Sequence, residues 1–155
     1  MSAAEPLATA LWEADRHLRV LEQALRDWHA APSATLAELD ADADQLRLLD
    51  QLLFRFTKLQ DALGARLIPA TLGALSEPAE DWPMIDRLNR LERLGYLNVD
   101  AWLRWRQIRN QLAHEYPERP ELRFAALTAA VAAAGELAAA YGRWRRRLAE
   151  HARTP

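Results

Sequence analysis

LATALWEADRHLRVLEQALRDW, residues 7–28, sets Leu7, Leu11, Ala14, Leu18, Leu21, Leu25 and Trp28 at alternating steps of four and three. That spacing lays a single apolar stripe along an α-helix. The helix is expected to stop between residues 30 and 32, because a proline disfavours helical geometry in the residue before it. Ser33 or Thr35 then offers an N-cap for the next helix. A second stripe runs through Leu36, Leu39, Ala43, Leu46, Leu49, Leu53, Phe56, Leu59, Leu63 and Leu67. It predicts one long helix, with Glu38, Asp40 and Asp42 complementing its positive end and Pro69 kinking or ending it.

The clearest interruption is SEPAEDWP, residues 76–83, which has two prolines, three acids and no apolar period. It reads as a loop. Beyond it, Asp81 is expected to cap a short third helix with Pro83 in its first turn. Met84, Ile85, Leu88 and Leu91 form its buried face, which ends near Gly95. Asn98 or Asp100 can cap a fourth helix whose apolar side collects Ala101, Trp102, Trp105, Ile108 and Leu112, and Pro117 prevents its continuation. A fifth is expected over about residues 120–150, with Leu127, Val131, Ala134, Leu137, Tyr141, Trp144 and Leu148 facing inward. The fold class that follows is all-α, an up-and-down bundle of four or five helices forming a single domain over residues 1–155.

Composition agrees. The chain has 155 residues, half of them apolar and 27% charged, with only five glycines. That is a foldable profile rich in helix formers. The formal charge of -2 argues against nucleic-acid binding by bulk electrostatics, so any RNA contact must be local. The absence of cysteine removes disulfides, thiolate metal sites and cysteine nucleophiles. No apolar run approaches the length that spans a bilayer, and the N-terminus lacks a basic segment followed by an apolar stretch. A cytoplasmic protein without membrane association is therefore expected.

The chemistry concentrates in RQIRNQLAHEYPERP, where Arg109, Asn110, His114, Glu115 and Tyr116 fall together at the end of the fourth helix. Metal-independent RNA cleavage needs a base for the ribose 2′-hydroxyl, an acid for the leaving 5′-oxygen and a cation for charge developing at phosphorus. His114 and Arg109 are the right types: imidazole exchanges protons near neutrality, and guanidinium grips phosphate through a planar fork. On an ideal helix, however, the step from Arg109 to His114 turns through about 500°, leaving them roughly 140° apart. Either the last turn unwinds before Pro117, or two chains packed along this helix complete one site. Without such a ligand, Arg109 pairs with a carboxylate, His114 caps the helix carbonyls and Tyr116 packs on the bundle.

RNQLAHEY resembles the Arg-x4-His-x-Tyr signature of HepT toxins, a branch of the HEPN superfamily of helical-bundle ribonucleases. Asn110 matches the polar residue that usually follows the arginine, and FRFTKLQDALGARL, residues 54–67, is more loosely similar to the second long helix of such proteins. The resemblance implies an HEPN-like bundle acting as a homodimer, with two motifs facing across a cleft that cuts RNA without metal or cofactor. Arg109 and His114 would be catalytic, with Asn110 orienting the substrate or the motif. It implies a type VII-like toxin–antitoxin pair, in which a minimal nucleotidyltransferase of the MntA type neutralises the toxin by transferring AMP from ATP to the motif tyrosine, here Tyr116.

Lys58, the only lysine, and Asp61 are further candidates for substrate binding, as parts of a cleft wall facing the fourth helix. The basic RWRRR, residues 143–147, offers phosphate contacts with Trp144 as a stacking surface, or else a solvated helix end. The tryptophans fall mostly on core faces, while Trp102 and Trp105 can also serve a dimer contact. His17, His29 and His151 show no ligand spacing, so no metal site is expected. The rival functions are a non-catalytic, HEPN-like substrate-binding subunit of a nucleotidyltransferase complex and a purely structural helical module.

Overall fold

The computed structural model describes residues 2–154. Among them the regular structure is entirely helical: α1 (Ala4–Ala30), α2 (Leu36–Ala41), α3 (Ala43–Ala62), a π-helical turn (Leu63–Leu67), α4 (Ile68–Ala74), α5 (Met84–Arg93), α6 (Val99–Gln111) and α7 (Pro120–Arg153). Cross-helix contacts give the directions. His17 meets Arg55 and Glu13 meets Arg66, so α1 and α3 are antiparallel. Asp61 meets Arg109, and Gly64 lies under the Trp102 ring, so α6 opposes α3. Glu136 meets Trp105 while Arg147 meets Leu94, just before α6, so α7 opposes α6 and hence also α1, which like α6 opposes α3. The result is an all-α up-and-down bundle built on α1, α3, α6 and α7.

The second expected helix is divided. Thr35 caps α2 by accepting from the Glu38 N–H, and the Glu38 carboxylate accepts in return from the Ala34 N–H. Asp42 then leaves helical geometry (φ -117°, ψ 100°) and restarts the helix, its Oδ1 accepting from the Asp44 and Gln45 N–H groups. An acid expected to tune a helix end thus serves as the cap of a new one, a role for which aspartate is among the best residues. Pro69 does not end the helix. The π-turn directly before it closes with the Ile68 N–H on the Leu63 carbonyl, a wider ring that accommodates the missing proline N–H and its bulk. The chain stops only after Ala74, where Ser76 takes a left-handed φ of 59° and the Glu77 N–H reaches back to Leu72 O.

The loop over residues 76–83 is held by α5. Arg87 donates to the carbonyls of Ala79 and Glu80, and Arg90 pairs with Glu77 at 2.8 Å. Pro83, not Asp81, stands at the N-cap of α5 and supplies its carbonyl to the Asp86 and Arg87 N–H groups. Gly95, at φ 85°, ends this helix as expected.

The core joins all four long helices through Leu21, Phe56, Leu59, Leu91, Trp102, Leu137, Tyr141 and Trp144. Polar groups inside it are matched: the Trp144 indole donates to the Thr71 hydroxyl at 3.0 Å, and the Tyr141 hydroxyl to Asp15 at 2.6 Å. Among the described residues the exceptions are Gln60, 4% exposed with neither amide atom partnered, and Arg55, whose Nε is buried without a partner. Among the described residues α7 alone is long and apolar enough to cross a membrane by length and composition, which corrects the expectation that no such run exists. Its inward face, Ala130 to Leu148, is core.

Candidate active site

Asn98 begins α6 by accepting from the Ala101 N–H, and Trp102 and Trp105 fix the helix in the core. The Trp105 indole donates to Glu136 of α7 at 2.8 Å, and Arg104 pairs with the same carboxylate. These two donors, the indole first, hold Glu136 below the usual carboxylate range despite partial burial. The expected use of Trp102 and Trp105 in a dimer contact therefore fails, since both are buried within their own chain.

The helix then yields early. The N–H groups of Leu112, Ala113 and His114 bond to the carbonyls of Arg109, Asn110 and Gln111, tight three-residue steps that close the last turn. His114, Glu115 and Tyr116 have left the helix. Tyr116 sits at φ 50°, a left-handed conformation uncommon outside glycine, and one that the following Pro117 also disfavours. The Arg119 N–H closes a turn on its carbonyl at 2.9 Å. Strain of this kind costs on the order of 1–3 kcal/mol and concentrates at functional sites.

The His114 ring is exposed, 6.0 Å from the Tyr116 ring between centroids and tilted 50° to it. It borders an open groove of about 330 Å³ between α3, the end of α6 and the start of α7. Asp50, Phe54 and Thr57 form the α3 wall, and with Glu115 and Arg123 the lining carries two carboxylates and one guanidinium. Of these lining groups only His114 and Glu115 lie in the motif. Asp50 and Phe54 are legible as a second α3 face, offset from the apolar stripe by the same four-residue step. Arg123 carries no signal in the sequence.

Arg109 does not line this groove. Its guanidinium pairs with Asp61 at 2.9 Å, with the two side chains 34% and 46% exposed. Thr57 and Asp61 are one turn apart on α3, so this pair continues the groove wall about 6 Å further along the helix. The expectation that Asp61 faces the fourth helix is met. Lys58 points its ammonium over the Phe54 ring at 5.6 Å, beside the groove rather than in it. Asn110 is exposed, and its side chain makes no hydrogen bond among the described residues. Helix unwinding thus exposes His114 without bringing Arg109 into the same pocket.

The basic C-terminal segment divides differently. Trp144 is 1% exposed and cannot stack on a ligand. Arg145 is taken by Asp15, and Arg147 donates to the Leu94 carbonyl. Arg143 and Arg146 instead line a groove between α1 and α7 with Arg26 and His29. No family model, curated protein or solved structure matches the chain.

Proposed function

We propose that this chain is a metal-independent endoribonuclease toxin of the HepT kind, working as a homodimer in the cytoplasm. The observation that carries the reading is the early end of α6, which frees His114 from helical constraint and opens its ring onto a charged groove. In this scheme His114 takes the 2′-hydroxyl proton, the resulting 2′-oxyanion attacks phosphorus to form a 2′,3′-cyclic phosphate, and the protonated His114 gives its proton to the leaving 5′-oxygen. Arg109 neutralises the charge that develops on the phosphoryl oxygens. Because Arg109 lies outside its own chain's His114 groove, the site is composite. Arg109 of one protomer faces His114 of the other, an arrangement that two-fold symmetry supplies twice. Asn110, exposed on the same turn as Arg109, contacts the strand.

Tyr116 is the switch. A partner minimal nucleotidyltransferase transfers AMP from ATP to its hydroxyl: the phenolic oxygen bonds to the α-phosphorus, the phenol proton is lost and pyrophosphate leaves. The left-handed turn at Tyr116 and its ring beside His114 support this reading, since a nucleotide there adds negative charge where RNA must enter.

The test is cleavage of a labelled RNA by purified protein in a chelator. His114→Ala should remain folded and lose at least a hundredfold in rate, the contribution general acid–base catalysis ordinarily makes. Cleavage by that variant at the wild-type rate overturns the mechanism. The pairing of Arg109 with Asp61 favours one rival, a non-catalytic binding subunit, and absence of cleavage by the wild-type chain would select it.

A further inference from the structure

On the solvent side of α1 and α3 lie two large aromatic rings that the core does not use. Trp12 is 66% exposed and Phe54 is 53% exposed. Each carries cations: the Arg16 guanidinium lies 5.9 Å from the Trp12 ring, and Arg55 and Lys58 each lie 5.6 Å from the Phe54 ring. His17 joins the two helices, its Nδ1 3.0 Å from Arg55 Nη1. Burial first, and then the charge of Arg55, hold this imidazole below its usual pKa against the opposing pull of Glu13, with Arg16 and Lys58 lowering it further. A neutral ring can accept from Arg55 and so fix the guanidinium beside Phe54.

None of Arg16, Arg55 and Lys58 is in a salt bridge among the described residues, and the Arg55 Nε is buried without a partner. Glu13, the acid whose charge reaches His17, is paired with Arg66 at 3.0 Å. The strip is therefore positive although the whole chain is not. It also has a direction, because Phe54 lines the His114 groove while Trp12 lies on the neighbouring helix. Trp12 stands five residues, about 7.5 Å, along α1 from His17, and axes of packed helices are about 8–10 Å apart, so a strand passes from one ring to the other over more than one nucleotide.

We infer that the strip formed by Trp12, Arg16, His17, Phe54, Arg55 and Lys58 is a platform for single-stranded RNA that leads the strand into the His114 groove. The inference builds on the ribonuclease reading. Bases stack on Trp12 and Phe54, and the phosphates between them meet Arg16, Arg55 and Lys58. Aromatic faces interleaved with cations suit single strands, since duplex bases keep their faces stacked on one another. The strip also answers how a chain with net charge -2 can hold RNA, through a local surface.

The experiment is fluorescence anisotropy on a labelled single-stranded RNA of about twelve nucleotides, within the range one such surface covers, and on its duplex. His114→Ala protein is used as the parent so that the probe survives. Trp12→Ala and Phe54→Ala should each weaken single-strand binding by about tenfold, the loss expected for one stacked base, with Trp12→Phe restoring it. Arg16→Gln and Lys58→Gln should each lower the slope of log affinity against log salt by about 0.7, whereas Arg146→Gln, on the opposite side of α1, should leave it unchanged. Unchanged affinity in both aromatic variants, equal binding of duplex and single strand, or an equal effect of Arg146→Gln overturns the platform. So does a dimer that dissociates in Trp12→Ala, which would make the ring an interface residue. Cleavage plays no part in this readout. Binding in this pattern by a chain that does not cut keeps the platform and refutes the nuclease. Cleavage without the pattern does the reverse.

Discussion

Asp61→Asn isolates the role of the carboxylate that holds Arg109. The pair is well formed at 2.9 Å, but its members are 34% and 46% exposed, so water screens it. Such pairs contribute about 0.2–1 kcal/mol. Asparagine keeps the shape and removes the charge, so folding stability should fall by no more than about 1 kcal/mol. Phosphate must displace the same carboxylate to reach Arg109, so RNA affinity should rise by a matching amount, up to about fivefold. Anisotropy titrations with intact RNA, kcat/KM for cleavage and urea melts measure the three quantities. In an Arg109→Ala background the gain should vanish, because the guanidinium that profits is gone. A tenfold loss of binding or cleavage in Asp61→Asn refutes the reasoning, since it would make the carboxylate a positioning group rather than a competitor.

Gln60→Leu should stabilise the fold by about 1–3 kcal/mol, because both amide atoms of this buried side chain lack partners; a lower urea midpoint would contradict that. Trp144→Phe should destabilise by about 2–4 kcal/mol, combining a smaller ring with a Thr71 hydroxyl left buried and undonated, and adding Thr71→Val should recover part of the loss. Asp15 is held below the usual carboxylate range by Arg145 first and, against the opposing effect of burial, also by Tyr141. A depressed folded pKa contributes stability that is present above the unfolded value, about 3.9, and lost as pH falls through the folded one. Asp15→Asn should therefore cost stability at pH 7 and little at pH 2, and an equal deficit at both refutes the linkage.

The bundle was legible because apolar spacing of three and four persists through all the long helices, and tertiary packing needs little else to pair them. Breaks were legible where side chains force them, as at Pro32, Gly95 and the loop over residues 76–83. The division at Asp42 was not, because the residue fits equally as a first-turn acid or as a fresh cap, and only its backbone angles decide. Nor was the survival of the helix past Pro69, which depends on a π-turn with no signature in residues 63–67. At the site, helical geometry alone predicted that Arg109 and His114 cannot share a face, and unwinding after Gln111 answered half of that requirement. The partners were less visible. Asp61 could be suggested as a wall, but its hold on Arg109 is a long-range contact. The exposure of Trp12 is a position on the helix wheel opposite the core, easily overlooked among five tryptophans that do face inward.

The central claim is a composite site with Arg109 from one protomer and His114 from the other. Mixing inactive Arg109→Ala and His114→Ala chains tests it most directly. After unfolding and refolding together, half the dimers are heterodimers, and each holds one intact site of two. Such a mixture should recover about a quarter of wild-type RNA cleavage, whereas one as inactive as its components would rule out a site shared between protomers.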